Sequence, residues 1–97
     1  MAKKLKQIKV RAKLPLMFFK DGSHYIAYCP LLDLSACGYT LKEAKKNFYE
    51  VFTIFVEETL SMGTLEEVLE ECGFRKVRST WFPPRIIEKT ETVSIQI

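Results

Sequence analysis

The chain has 97 residues, of which 47% are hydrophobic and 28% charged, and its formal net charge is +3. These values are typical of one soluble globular domain, and they exclude a disordered tail or a second full domain. No apolar run approaches the roughly 20 residues needed to cross a bilayer, and no signal peptide is evident. We expect one cytoplasmic domain at 1–97, with a core at about 5–62 and a C-terminal extension at 63–97.

Charge is distributed unevenly along the chain. Residues 1–20 contain seven lysines and arginines and no acid, whereas residues 41–73 contain eight glutamates and three lysines. Such segregation predicts two faces with different partners, or one self-complementary assembly. Charges that merely solvate the outer faces of strands and helices explain the pattern equally well.

The first predicted strand runs from Leu5 to Leu14 and continues through Leu16 to Phe19. Apolar residues alternate with cations along it, so one face is expected in the core and the other in water. The cations of this strand are Lys9, Arg11 and Lys13. Pro15 cannot donate to a strand ladder and therefore predicts an edge position or a bulge.

A tight hairpin turn is predicted at Asp21-Gly22, because glycine readily adopts the positive φ that such a turn needs. The second strand, His24 to Cys29, pairs back on the first. A third strand covers Asp33 to Gly38. The first part of the chain is therefore predicted to form a three-stranded antiparallel meander.

A long helix is predicted from Leu41, because Thr40 is a good N-cap and Glu43 completes a capping box with it. Apolar residues recur at close to 3.6-residue spacing, which favours packing of one helix face on the sheet. Gly63 is the expected C-terminal stop. One aromatic stripe of this helix is expected to be core: Phe48, Phe52 and Phe55.

A second capping box, Thr64 with Glu67, predicts a short helix of about two turns that Gly73 closes. Apolar and polar residues alternate from Val93 to Ile97, which predicts a last strand in the meander or in a neighbouring subunit's sheet. The predicted fold is α+β. It comprises a three-stranded antiparallel meander, a long helix packed on one face, a short second helix and a returning C-terminal strand.

Two short motifs resemble the HicB-like antitoxin family. They are Tyr28-Cys29-Pro30 at a strand end and Gly38-x-Thr40-x-x-Glu43-Ala44 at the helix start. The resemblance covers residues 8–60 and implies a partial RNase H-like fold. It implies a non-catalytic antitoxin of a type II toxin-antitoxin system, which binds a HicA-like toxin and prevents its cleavage of mRNA. It also implies a homo-oligomer, a dimer or larger.

Many antitoxins of this family also bind operator DNA through a C-terminal helix-turn-helix or ribbon-helix-helix. After Gly73 this sequence contains no pair of helices with a turn, and Pro83-Pro84 disfavours one because proline interrupts helices. The resemblance thus names operator DNA as a partner, but the sequence contains no recognisable motif to bind it.

We assign toxin binding to glutamates of the two helices and to one aromatic residue. An acidic patch would face the basic RNA-binding surface of a ribonuclease, and an exposed Trp81 would add an aromatic hot spot. A solvated helix face explains each glutamate as well, and packing of the tail explains Trp81. The predicted patch consists of Glu57, Glu58, Glu66, Glu67, Glu70 and Glu71.

The alternative function is a small nucleic-acid-binding or regulatory module. Lys9, Arg11 and Lys13 would contact phosphates without reading bases, as sequence-independent binding requires. Such an interaction must weaken steeply with salt.

The sequence gives little support for a catalytic site or a metal site. The first strand has no carboxylate, and Asp21 and Asp33 stand apart, so the two-metal site of an RNase H-like nuclease is not expected. One histidine, His24, and three dispersed cysteines do not supply the roughly four close ligands of structural zinc. We expect no enzyme activity, no metal, no cofactor and three buried, reduced cysteines.

Overall fold

The fold is α+β, as predicted, and a computed structural model describes residues 9–96 of it. Six strands and two helices follow one another in this range. They are β1 Arg11–Ala12, β2 Met17–Asp21, β3 His24–Cys29, β4 Leu34–Gly38, α1 Leu41–Met62, α2 Leu65–Glu71, β5 Arg75–Val77 and β6 Thr80–Phe82. Neither helix in the described range combines the length with the apolar composition that crossing a bilayer requires.

The predicted meander forms the first sheet, in which β3 lies between β2 and β4 with antiparallel pairing on both sides. The β2–β3 hairpin turns at Gly22, whose φ of 64° glycine adopts at little cost. After β3, the carboxylate of Asp33 accepts a 3.1 Å hydrogen bond from the Tyr28 hydroxyl. That hydrogen bond raises the pKa of Tyr28, because ionisation would remove the donated proton. Local interactions thus fix the register of this sheet.

Pro15 separates two strands that belong to different sheets. The residues after it form β2, whereas those before it form β1, which pairs in parallel with β6. The Lys13 backbone N–H extends this pairing by donating to the Trp81 carbonyl at 2.9 Å. The predicted interruption is confirmed, but the strand before it has only two residues. The predicted strand positions 5–8 lie outside the described residues.

Both ends of α1 are as predicted, with one change in the N-terminal cap. The Thr40 hydroxyl accepts from the Glu43 N–H at 3.0 Å, which is the expected N-cap bond. The Glu43 carboxylate accepts from the Tyr39 N–H at 2.6 Å instead of from the Thr40 N–H. Gly63 ends the helix in the left-handed conformation, with φ 73°.

A close approach of β4 to α1 explains the glycine of the Gly38-x-Thr40 motif. A Cβ atom at Gly38 would lie 2.7 Å from the backbone nitrogen of Ala44 and 2.9 Å from the Cβ of Glu43. The Asn47 side chain ties the same two elements together, because it donates to the Cys37 carbonyl at 2.8 Å. The motif therefore allows the first turn of α1 to pack closely against β4.

Two clusters of buried side chains form the core, and α1 contributes to both. The first consists of Ala27, Cys29, Ala44 and Phe48, and the second of Leu65, Leu69, Phe74 and Trp81. Leu14, Leu31 and Leu32 pack against both clusters. Of the predicted aromatic stripe, Phe48 is buried, while the half-buried Phe52 and Phe55 pack against the first and second cluster respectively.

The C-terminal extension differs from the prediction at three points. Thr64 makes no side-chain capping bond, so the second capping box is wrong; α2 is held by its buried leucines instead. An unpredicted hairpin, β5–β6, occupies residues 75–82. Residues 83–96 form no strand in this chain, so the strand predicted from Val93 does not join the meander, and Ile97 lies outside the described residues. The alternative, pairing in a neighbouring subunit's sheet, stays a prediction. The returning strand is Thr80–Phe82.

Candidate functional site

The six predicted glutamates are all exposed, and we refer to them together as the acidic surface. Glu57 and Glu58 lie near the end of α1, and the other four lie on α2. The two helices contact each other, with Gly63 turning the chain between them and the Thr64 N–H donating to the Thr59 carbonyl at 2.8 Å. A short stretch of chain therefore presents six carboxylates to solvent.

Helix stability does not explain the position of the last two glutamates. A carboxylate stabilises a helix near its N-terminus, where the helix dipole is positive, and destabilises it in the last turn. Glu66 and Glu67 follow this rule, but Glu70 and Glu71 lie in the last turn of α2. No basic residue occupies the last turn of either helix. A role in binding a cationic surface would account for carboxylates at this end.

Little of the acidic surface is neutralised within residues 9–96. Its one ion pair joins Lys76 Nζ to Glu66 Oε2 at 3.5 Å, with both side chains largely exposed. Exposed pairs of this kind contribute about 0–1 kcal/mol. The other five glutamates have no cation within ion-pair distance in this part of the chain. Their negative potential is therefore available to a partner.

Trp81 is not an exposed anchor, which corrects the sequence prediction. It is only 4% exposed and belongs to the second core cluster with Leu65, Leu69 and Phe74. The physical reason is its position on β6, the central strand of the second sheet, which packs against α2. The Lys76 ammonium lies 5.8 Å from the centre of its ring. Trp81 thus packs against α2, the helix that carries four glutamates of the acidic surface.

The predicted basic residues are exposed, but their neighbours differ from those expected of a uniform cationic face. Lys9 and Arg11 line a cleft of about 370 Å³, together with Lys76 and the oppositely charged Glu66. Lys13 lies instead 5.4 Å from the centre of the Phe82 ring. The structure therefore brings Lys9 and Arg11 together with a residue of the acidic surface.

Cysteine and histidine positions give no metal site within residues 9–96, where no group of three or more His, Cys, Asp or Glu residues is close enough to hold an ion. All three cysteines are free, but only Cys29 is buried; Cys37 is exposed and Cys72 half-buried, which corrects the prediction for those two. Burial raises the pKa of the Cys29 thiol. The His24 ring packs against Tyr39 at 4.7 Å between centroids.

The sequence pattern did not indicate an apolar groove between α1 and the β1–β2 segment. One part of it, of about 370 Å³, is lined by residues that include Leu14, Leu16 and Tyr49. The next part, of about 410 Å³, is lined by residues that include Phe18 and Leu41. These residues carried the ordinary apolar periodicities of strand and helix, so they were indistinguishable from core residues.

Comparisons with protein-family models, with curated proteins and with solved structures find no match for this chain. The resemblance to HicB-like antitoxins therefore rests on the two motifs named above.

Proposed function

We propose that this protein is a non-catalytic, cytoplasmic antitoxin that binds and inhibits a HicA-like mRNA-cleaving ribonuclease. The observation that carries the proposal is the acidic surface, with six exposed glutamates of which one is paired. The motif around Gly38 and Thr40 supports the same function through its resemblance to the family.

Inhibition would follow from competition with RNA for the same basic surface. A ribonuclease binds its substrate chiefly through cations that contact phosphates. The carboxylates of Glu57, Glu58 and the α2 glutamates would pair with those cations and so prevent the RNA phosphates from binding them. Complementary charge of this kind raises the association rate, and it weakens as salt screens the attraction. No catalytic group of the antitoxin is required.

The test begins with capture of partners by the tagged protein from extracts of its own cells. We expect a small basic protein in fixed ratio, whose cleavage of RNA stops when the antitoxin is added. With that partner purified, Glu70→Lys/Glu71→Lys is expected to weaken binding by at least tenfold at low salt, chiefly through slower association.

A matched control is Glu50→Lys/Glu88→Lys, which makes the same change in net charge outside the acidic surface. Both of these glutamates are exposed, so this variant should bind like the wild type. Equal weakening by the two variants would show that only net charge matters. A captured partner that binds Glu70→Lys/Glu71→Lys as tightly as the wild type would refute the assignment of the surface.

A second candidate, nucleic-acid binding, is supported by the exposure of Lys9, Arg11 and Lys13. Glu66 lies at the same cleft as two of them and lowers the local positive potential. Lys9→Glu/Arg11→Glu/Lys13→Glu should abolish any salt-dependent binding of labelled single-stranded RNA. Absence of binding by the wild type at low salt would reject this candidate.

A further inference from the structure

The groove beside α1 has the composition of an interface. Its strand side includes Leu14 and Leu16, which flank Pro15, and Phe18 of β2, together with Arg11. Its helix side is Leu41, Lys45, Tyr49 and Phe52, which recur at three- and four-residue spacing. The groove is not closed by other described residues: Phe18 remains 42% exposed, Leu41 51% and Tyr49 55%. It runs along α1 beside β2.

The backbone of β2 is open on the same side. This strand is at the edge of the first sheet, and among the described strands it pairs only with β3. All five of its residues are exposed, including Met17 and Phe19. Proteins normally cover or pair such an edge, because its free N–H and C=O groups and apolar side chains favour addition of another strand.

The same chain contains a segment with the properties of the missing strand. Residues 90–96 include no proline or glycine and have the β-branched residues Thr90, Thr92, Val93 and Ile95. Val93 and Ile95, which share one face of an extended chain, are 75% and 78% exposed. The segment pairs with no strand within residues 9–96 of its own chain.

The path of the tail directs this segment away from the body of its own chain. Pro83 and Pro84 are half-buried, and a Cβ at Gly73 would lie 3.2 Å from the Pro84 ring, so the start of the tail packs against the body. Two consecutive prolines also favour an extended backbone. The radius of gyration is 16.7 Å, compared with about 12–13 Å for a compact domain of this length. Among the described residues, therefore, nothing covers the groove and nothing pairs with the tail.

We propose that the segment at residues 90–96 of a second copy adds as a strand to the free edge of β2, with Val93 and Ile95 in the groove beside Leu16 and Phe18. Addition of a strand to a sheet edge supplies backbone hydrogen bonds, and alternate side chains supply specificity. Reciprocal exchange of the two tails gives a closed, two-fold symmetric dimer.

The first test is sedimentation equilibrium of the full chain. The wild type is expected to be a dimer, and Val93→Asp/Ile95→Asp to raise the dimer dissociation constant about a hundredfold or more, because it places two carboxylates in an apolar groove. The matched control, Thr90→Asp/Thr92→Asp, adds the same charge to the opposite strand face and should remain dimeric. A monomeric wild type, or equal sensitivity of the two variants, would overturn the proposal.

The second test distinguishes exchange between copies from closure of the tail on its own chain. A Phe18→Cys/Ile95→Cys variant is oxidised in a Cys37→Ser background, which removes the exposed native thiol. Exchange predicts disulfide-linked dimers and protection of the β2 amides from hydrogen exchange, with that protection lost in Val93→Asp/Ile95→Asp. Disulfides confined to single chains, or no crosslink, would count against a second copy as the occupant.

Discussion

The two sheets of this protein are built by different kinds of contact. In the first, each strand pairs with the next strand along the chain, through turns at Asp21-Gly22 and after Cys29. In the second, β5 and β6 form a local hairpin, but Arg11 pairs with Thr80, so the three-stranded sheet is complete only when distant parts of the chain meet. Local pairing carries a small loop-closure cost, whereas the distant pairing must be compensated by burial.

Burial is arranged alike in the two sheets, although their strands differ in length. The strands of the first sheet have five or six residues; its central strand carries the buried Ala27 and Cys29, whereas β2 is exposed along its whole length. The strands of the second have two or three residues; its central strand carries the buried Trp81, whereas β5 is exposed. With so few backbone hydrogen bonds, the second sheet depends mainly on its core cluster.

The largest effect is expected from Trp81→Ala, which should lower the free energy of unfolding by about 3–5 kcal/mol, because it empties the centre of the second cluster. Chemical denaturation gives the magnitude. Hydrogen exchange on the same variant should show loss of protection first in β1 and β6, with β3 and β4 retained.

Val77→Ala is the control for that change, because Val77 lies in the same sheet but is 46% exposed. Its effect should be about 1 kcal/mol or less. Simultaneous loss of protection in both sheets of Trp81→Ala would show that they unfold as one unit, and the contrast between them would be wrong.

An intermediate effect is expected at the junction of the first sheet with α1. Gly38→Ala should lower the free energy of unfolding by about 1–3 kcal/mol, because the added Cβ would overlap the backbone of Ala44. The amide resonance of Ala44 should shift. Gly22→Ala is the comparison: a Cβ there meets nothing within 4 Å, so only the positive φ is penalised. An unshifted Ala44 resonance in Gly38→Ala would contradict the predicted overlap.

The smallest expected effect is on stability, at two threonines. Thr40 and Thr64 each precede a helix and each have a glutamate three residues later, so the sequence predicts the same cap for both. Thr40→Ala should cost about 1 kcal/mol, because it removes the 3.0 Å bond that caps α1. Thr64→Ala should change stability by less than about 0.5 kcal/mol, since the Thr64 side chain caps nothing. Thermal denaturation of the two variants side by side measures the difference. Equal destabilisation would mean that Thr64 also caps its helix.

Elements governed by neighbouring residues could be predicted closely. The turn at Gly22, the cap at Thr40 and the stop at Gly63 each depend on contacts within a few residues, and all three are confirmed. The exposure of the six glutamates also followed from helix periodicity. The antitoxin function stays a prediction, because it depends on a partner that these patterns do not specify.

The errors concern residues whose environment is supplied by distant parts of the chain. Trp81 was assigned as an exposed hot spot with packing of the tail as the alternative, because nothing near it in sequence indicates that β6 pairs with β1 and packs against α2. Val93 and Ile95 alternate as a strand should, but alternation does not specify which edge such a strand pairs with, and in this chain it pairs with no described strand.

The sequence by itself determined the meander, the long helix and the concentration of carboxylates on the helices, because periodicity and capping act over a few residues. Tertiary structure alone decided that Pro15 divides the chain between two sheets, that Trp81 is core, and that a groove beside β2 stays open. These depend on which surfaces meet, and burial is a property of the assembled chain rather than of any segment.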